Sequence, residues 1–206
     1  MIKFLGNCWG GHAVDVSLLS ESVSVVYDFG VAHDVSFADE VSKYVKRIEL
    51  FDFPDTLNEN KNNKIKRDEI HGNFENEKFI FNYYGVSNFT GELNVSSTGR
   101  PCGTILFRSD EKSKLKFHVK KIYDIMKEKG DEEIDILKLD IEGEEYNVLK
   151  NILEEEIYPK QITVEFHERF LSEDKKILHT DVLDKLKLVY YCMFEDNYHK
   201  LFIRKN

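Results

Sequence analysis

Four carboxylates, Asp140, Glu142, Glu144 and Glu145, gather around one glycine where the apolar run of Ile134, Ile136, Leu137, Leu139 and Ile141 ends. Such a near-continuous run reads as a parallel strand buried on both faces by helices. Open α/β sheets bind ligands outside the carboxyl ends of their strands, so acids there face the expected site. Glu144 and Glu145 are read as acids that start the following helix, whose positive N-terminal dipole favours them. Asp140 and Glu142 remain as the chemical pair. Glu165 and His167 stand two apart at the end of another strand and therefore point to one face. With Asp140 or Glu142 they form a candidate general base and its orienting group. The same residues offer oxygen and nitrogen ligands to Mg²⁺ or Mn²⁺, although no metal is assigned.

Two more strand ends carry acids. The strand Val23 to Phe29 ends at Asp28 and Gly30, and its turn runs through Val31 to Asp34. A G-x-G-x-x-G fingerprint needs three glycines so that the backbone can approach a pyrophosphate; this turn has one, and Asp34 would oppose a phosphate. Asp52 follows Gly30 by 22 residues and ends the second strand, where an acid accepts hydrogen bonds from both ribose hydroxyls. Together these features predict adenosine without pyrophosphate. S-adenosyl-L-methionine is such a ligand, and its sulfonium and ammonium charges suit Asp28, Asp34 and Asp140. The rival readings are an NAD-dependent oxidoreductase and a non-catalytic binding module that retains the fold.

The elements that must position these residues alternate in type. Strands at Val23 to Phe29, Arg47 to Phe53, Phe79 to Tyr84, Ile134 to Ile141 and Ile162 to Phe166 are interleaved with helical patterns, the sequence form of a parallel sheet. Helices are expected at Ser36 to Tyr44, Thr56 to Lys64, around Val119 to Met126, around Tyr146 to Leu153, and at Leu178 to Leu186. Pro54 blocks continuation of the second strand. From about residue 86 to 116 clustered turn residues interrupt short β-like pieces at Glu92 to Val95 and Thr104 to Phe107, predicting hairpins inserted over the sheet as a binding loop or surface excursion. Arg100 and Arg108 there are either a clamp for an anionic acceptor or solvated surface residues. Trp9, Gly10, Gly11 and His12 either close over the pocket or pack on the sheet. Leu188 to Phe194 and Lys200 to Ile203 flank Glu195-Asp196-Asn197, a hairpin signal in place of another crossover.

The 206 residues suit a single domain. A net charge of −9 disfavours nucleic acid as a partner. Cys8, Cys102 and Cys192 are odd in number and form no C-x-x-C pair, which argues against a disulfide framework or structural zinc. No segment approaches the ~20 apolar residues of a membrane span, and the N-terminus lacks a signal-peptide pattern. A cytoplasmic protein is expected, with its oligomeric state open.

Across nearly the whole chain the sequence resembles the FkbM-type methyltransferases, a branch of the class I S-adenosylmethionine-dependent family. The resemblance rests on Gly10-Gly11, VVYDFGVAHDVSF at 25 to 37, LFDFPDT at 50 to 56, YYGVSN at 83 to 88, IDILKLDIEGEEYNVLK at 134 to 150, and VEFHERF at 164 to 170. It implies a Rossmann-like, mostly parallel seven-stranded sheet with a terminal antiparallel hairpin. It further implies transfer of a methyl group to a hydroxyl, on a sugar, glycan or other small metabolite. Residue by residue, Asp28, Gly30 and Val31 would line the methionine side, Asp52 with Phe53 beside it would hold the ribose, and Gly85 and Val86 would lie near the adenine. Ala32 stands where the family commonly has glycine, and Phe53-Pro54-Asp55 replaces its D-P-T-P run. Alanine adds only a methyl group, so a shifted loop is expected at residue 32.

Overall fold

The computed structural model describes residues 1–32, 34–53, 76–97, 106–108, 115–167 and 173–205. Its main sheet is built from β-branched and aromatic segments that cross the molecule once each. In chain order the strands are β1 (Ile2–Leu5), β2 (His12–Asp15), β3 (Val25–Phe29), β4 (Arg47–Phe51), β5 (Phe79–Asn82), β6 (Gly85–Val86) and β7 (Gly91–Ser97). They continue with β8 (Leu106–Arg108), β9 (Leu115–Lys120), β10 (Ile136–Leu139), β11 (Gln161–Glu165), β12 (Tyr190–Glu195) and β13 (His199–Arg204). Among the described residues the α-helices are α1 (Ser36–Val41), α2 (Ile122–Lys129), α3 (Glu145–Glu154) and α4 (Glu173–Val189).

Seven strands form one sheet in the order β12-β13-β11-β10-β3-β4-β5. Strands β11, β10, β3, β4 and β5 pair in parallel, and β13 runs antiparallel to both neighbours. The strand order reverses between β3 and β10, which places a crevice at their carboxyl ends. The terminal hairpin is present, with one boundary moved: Leu188 and Val189 complete α4, and the strand begins at Tyr190. The first helix is also shorter than expected, since Ser42–Tyr44 tightens into a 3₁₀ turn. The helix expected at 56 to 64 lies outside the described residues, as do Pro54, Asp55, Arg100 and Cys102.

Side-chain alternation divides the core. Tyr27, Phe29, Leu137, Leu139, Ile162 and Val164 face the helices α2, α3 and α4. Val26, Ile48, Leu50 and Ile136 face α1 and the β1–β2 hairpin, a pairing not anticipated from sequence. The hairpins expected in the insertion pair antiparallel, β7 with β8 and with β9. Strands β6, β9, β7 and β8 form a second sheet, with Leu93, Val95, Phe117 and Val119 as a small core against Phe53.

Candidate active site

The carboxyl ends of β3, β4 and β10 open into a cleft with a cavity volume of about 200 Å³. Gly30, Ala32, Asp52, Phe53, Gly85, Val86, Asp140 and Glu142 line it, with Leu93 and Val95 of the inserted sheet opposite. Among the described residues lining it, none is lysine or arginine.

Gly30 makes the close approach of β3 and β10 possible. Its φ is +83°, and a Cβ there would overlap the backbone oxygen of Asp140. Ala32 adopts φ +46°, the left-handed backbone that glycine takes without cost. Gly85 serves a different need, because a Cβ would collide with the Phe53 ring, which also stacks on Phe117.

Not every expected cofactor residue faces the cleft. Val31 is buried in the core beside α1. Asp34 accepts a hydrogen bond from Ser36 N at 2.9 Å, so its carboxylate serves the first turn of α1 and does not line the cleft. Asp28 lies beneath the floor, 1% exposed, with an oxygen 2.9 Å from Lys138 Nζ. The reason is strand alternation: Asp28 and Lys138 are register partners on β3 and β10 and project to the same face. Burial opposes the Lys138 charge, but Asp28 and Asp140 outweigh it and keep the ammonium charged. Sequence reading missed Lys138; a single lysine in an otherwise apolar strand next to an acid-bearing strand was the available signal.

The glutamates after β10 also need correction. Glu145 begins α3 as expected, yet it is fully buried and its Oε1 accepts from Ile141 N at 3.0 Å and Gly143 N at 3.1 Å. The same oxygen lies 2.8 Å from His167 Nδ1. Glu144 is buried, lines the cleft, and bonds Ser87 Oγ and Asn147 Nδ2. Both are therefore structural acids of the site and more than dipole complements. The pinned turn holds Glu142 at φ +55°, an uncommon conformation for a residue with a side chain.

His167 stands behind Asp140 and Glu142, 3% exposed, outside the cleft lining. Its Nε2 is 3.5 Å from Glu142 Oε2, 3.6 Å from Glu165 Oε1 and 3.8 Å from Asp140 Oδ1. Burial works against its charge, but Glu145 foremost, then Glu142 and Asp140, push its pKa up to about 9. It is a poor free base at neutral pH and a strong organiser of carboxylates. Asp140 is raised to about 6 by burial, against the pull of Lys138. The structure thus brings together Asp140, Glu142, Glu165 and His167, and separately Gly30, Asp52, Phe53, Gly85 and Val86, with Asp140 common to both groups. Trp9 is 84% exposed, whereas His12 is fully buried with Nδ1 3.2 Å from Thr163 Oγ1.

A strand order reversing at β3 and β10, an antiparallel penultimate strand and a carboxylate-lined cleft at the reversal define a class I methyltransferase-like α/β protein. The chain belongs to the family defined by the methyltransferase FkbM domain, whose model matches residues 24–195. Among solved structures it is similar to the methyltransferase FkbM of Methylobacillus flagellatus KT, with 19% identity and a TM-score of 0.45 over 89% of this chain and 44% of that one. The chain therefore spans less than half the length of that relative. The Methanococcus jannaschii fibrillarin pre-rRNA processing protein shares the fold at 11% identity and a TM-score of 0.50, covering 96% of this chain and 72% of the other. An rRNA methylase from Streptococcus thermophilus is 10% identical with a TM-score of 0.49, over 93% and 92% of the two chains. Among curated proteins no sequence match is found. No helix among the described residues is long and apolar enough to cross a membrane.

Proposed function

We propose that the chain transfers a methyl group from S-adenosylmethionine to a hydroxyl of a small molecule or glycan. The observation that carries this reading is one cleft lined by Gly30, Asp52 and Asp140, each from a different strand end. Its chemistry fits the cofactor. The carboxylate of Asp52 suits a ribose diol, Phe53 over Gly85 gives a flat apolar wall for a purine, and Asp140 complements a sulfonium or ammonium charge. Asp52 and Asp140 in the lining, with no lysine or arginine among the described lining residues, disfavour the pyrophosphate that an NAD-dependent oxidoreductase would need.

When bound, the cofactor supplies a methyl group on a positively charged sulfur, open to in-line attack. The chain's part is alignment and proton removal. Leu93 and Val95 form the apolar wall opposite the strand ends and exclude water from the acceptor. Glu142 is the proposed base. A non-glycine residue at φ +55° costs about 1–2 kcal/mol and persists where surroundings over-determine it. Here the Glu145 carboxylate clamps the amides on either side, and Glu142, itself part of the cleft lining, is assigned to accept the hydroxyl proton. His167 acts through its neighbours, as a positioning residue.

Transfer of a labelled methyl group to a panel of hydroxylated acceptors tests the reading. Glu142→Gln is expected to lower kcat by about 10²–10⁴ with cofactor affinity retained. Wild-type turnover by Glu142→Gln would remove the base, and the absence of transfer to every hydroxyl acceptor, with transfer to amines, would replace the acceptor class.

A further inference from the structure

Behind the cleft, Asp140 Oδ, Glu165 Oε1 and His167 Nε2 converge with all three donor atoms within 4.8 Å of one another. We propose that this group is a divalent-cation site, of a donor chemistry that suits Mn²⁺, placed to hold the acceptor hydroxyl at the inner end of the cleft. The proposal rests on the methyltransferase reading for its role, and on geometry alone for its existence.

The spacing is the first argument. Nε2 stands 3.6 Å from Glu165 Oε1 and 3.8 Å from Asp140 Oδ1, too long for good hydrogen bonds. Three donors at roughly 2.1 Å from one octahedral ion stand about 3 Å apart in cis positions and about 4.2 Å in trans, so each Nε2–oxygen distance must shorten by about 0.6–0.8 Å to place the two donors cis on one ion. The second argument is independent of the first. A ligating histidine characteristically donates its other ring nitrogen to a carboxylate, which fixes its ring and tautomer. His167 Nδ1 has that partner in Glu145, at 2.8 Å and fully buried, and the carboxylate is itself held by two backbone amides. The second oxygen of Glu165 lies 3.5 Å from His199 Nε2, while Oε1 is the oxygen 3.6 Å from His167 Nε2.

The donor set selects the ion. Two carboxylates and one imidazole are borderline between hard and soft, which favours Mn²⁺ over Ca²⁺ and leaves Mg²⁺ weaker for want of a third oxygen. Lys138, the nearby buried cation, pairs with Asp28 at 2.9 Å and also lies in the field of Asp140 and Glu165, whose charge it would share with the ion. Asp140 both belongs to the group and lines the cleft, so an ion held there would border the space assigned to the acceptor.

Titration of the full chain with MnCl₂, followed by loss of the free-ion electron paramagnetic resonance signal, tests the site directly. One Mn²⁺ per chain is expected, with affinity falling at least tenfold in Glu165→Gln and in His167→Asn. Glu145→Gln should weaken binding about 10–100-fold, as for a group that orients a ligand. Binding of S-adenosylhomocysteine is measured on the same samples; its retention shows that each variant is folded and keeps the cofactor cleft. Failure to bind Mn²⁺ in a wild-type chain that binds S-adenosylhomocysteine, or equal Mn²⁺ affinity in the wild type and both ligand variants, would overturn the cation site alone. Stoichiometric Mn²⁺ without S-adenosylhomocysteine binding would instead sink the methyltransferase reading and leave the site standing.

Discussion

Gly30 and the main chain of Asp140 are packed so closely that a Cβ on residue 30 would overlap the Asp140 carbonyl oxygen. This contact joins the turn after β3 to the turn after β10. Gly30→Ala must therefore both strain a φ of +83° and push the two turns apart, at a combined cost of about 2–5 kcal/mol. Chemical denaturation should show that loss, with S-adenosylhomocysteine binding lost at the same time. A stable variant with intact binding would show that the contact does not shape the cleft.

Ala32 presents the opposite case. It holds a left-handed backbone with φ +46° and is exposed on the cleft. Ala32→Gly should relieve strain of about 1–2 kcal/mol and give back part of it as unfolded-chain entropy, for a net gain of about 0.5–1 kcal/mol. A melting temperature raised by a few degrees is the expected readout; a lower one would mean that the methyl group packs usefully in the turn.

The Asp28–Lys138 pair is buried on both sides, at 2% and 3% side-chain exposure. Lys138→Met leaves a buried carboxylate without its partner and should cost about 3–5 kcal/mol. The double variant Asp28→Leu with Lys138→Met removes both charges and should recover most of that stability. Two unfolding curves decide it: a double variant no more stable than the single one would make the pair necessary to the fold rather than merely matched.

His12 makes stability depend on pH. Burial, aided by the Lys138 and His199 charges, pushes its pKa well below the ordinary 6.5, so it folds neutral. Below about pH 6.5 the unfolded chain binds a proton at this position that the folded chain refuses, and stability is lost as pH falls toward the folded value. The wild type should lose up to ~1.4 kcal/mol per pH unit more than His12→Gln between pH 6.5 and 5. Parallel urea-midpoint profiles for the two proteins would contradict this.

The parallel strands were legible because buried sheet strands are written as apolar runs, and Asp52 was legible because it ends one of them. Asp34 does not line the cleft; an acid after a strand reads the same whether it faces a ligand or accepts from a nearby backbone amide. Glu145 and Lys138 escaped because their roles depend on partners 22 and 110 residues away in the chain, Glu145 reaching His167 and Lys138 reaching Asp28. The second sheet was only partly visible: β6 and β9 pair around an insertion whose turn residues dominate its sequence.

The central claim is that this cleft holds S-adenosylmethionine, and calorimetric titration with S-adenosylhomocysteine tests it most directly. One site per chain is predicted, competed by S-adenosylmethionine and not by NAD, with Asp52→Ala weakening it by ~1–3 kcal/mol for the lost charged hydrogen bonds. No heat of binding at millimolar ligand from a folded protein, or binding of NAD in its place, would contradict the account.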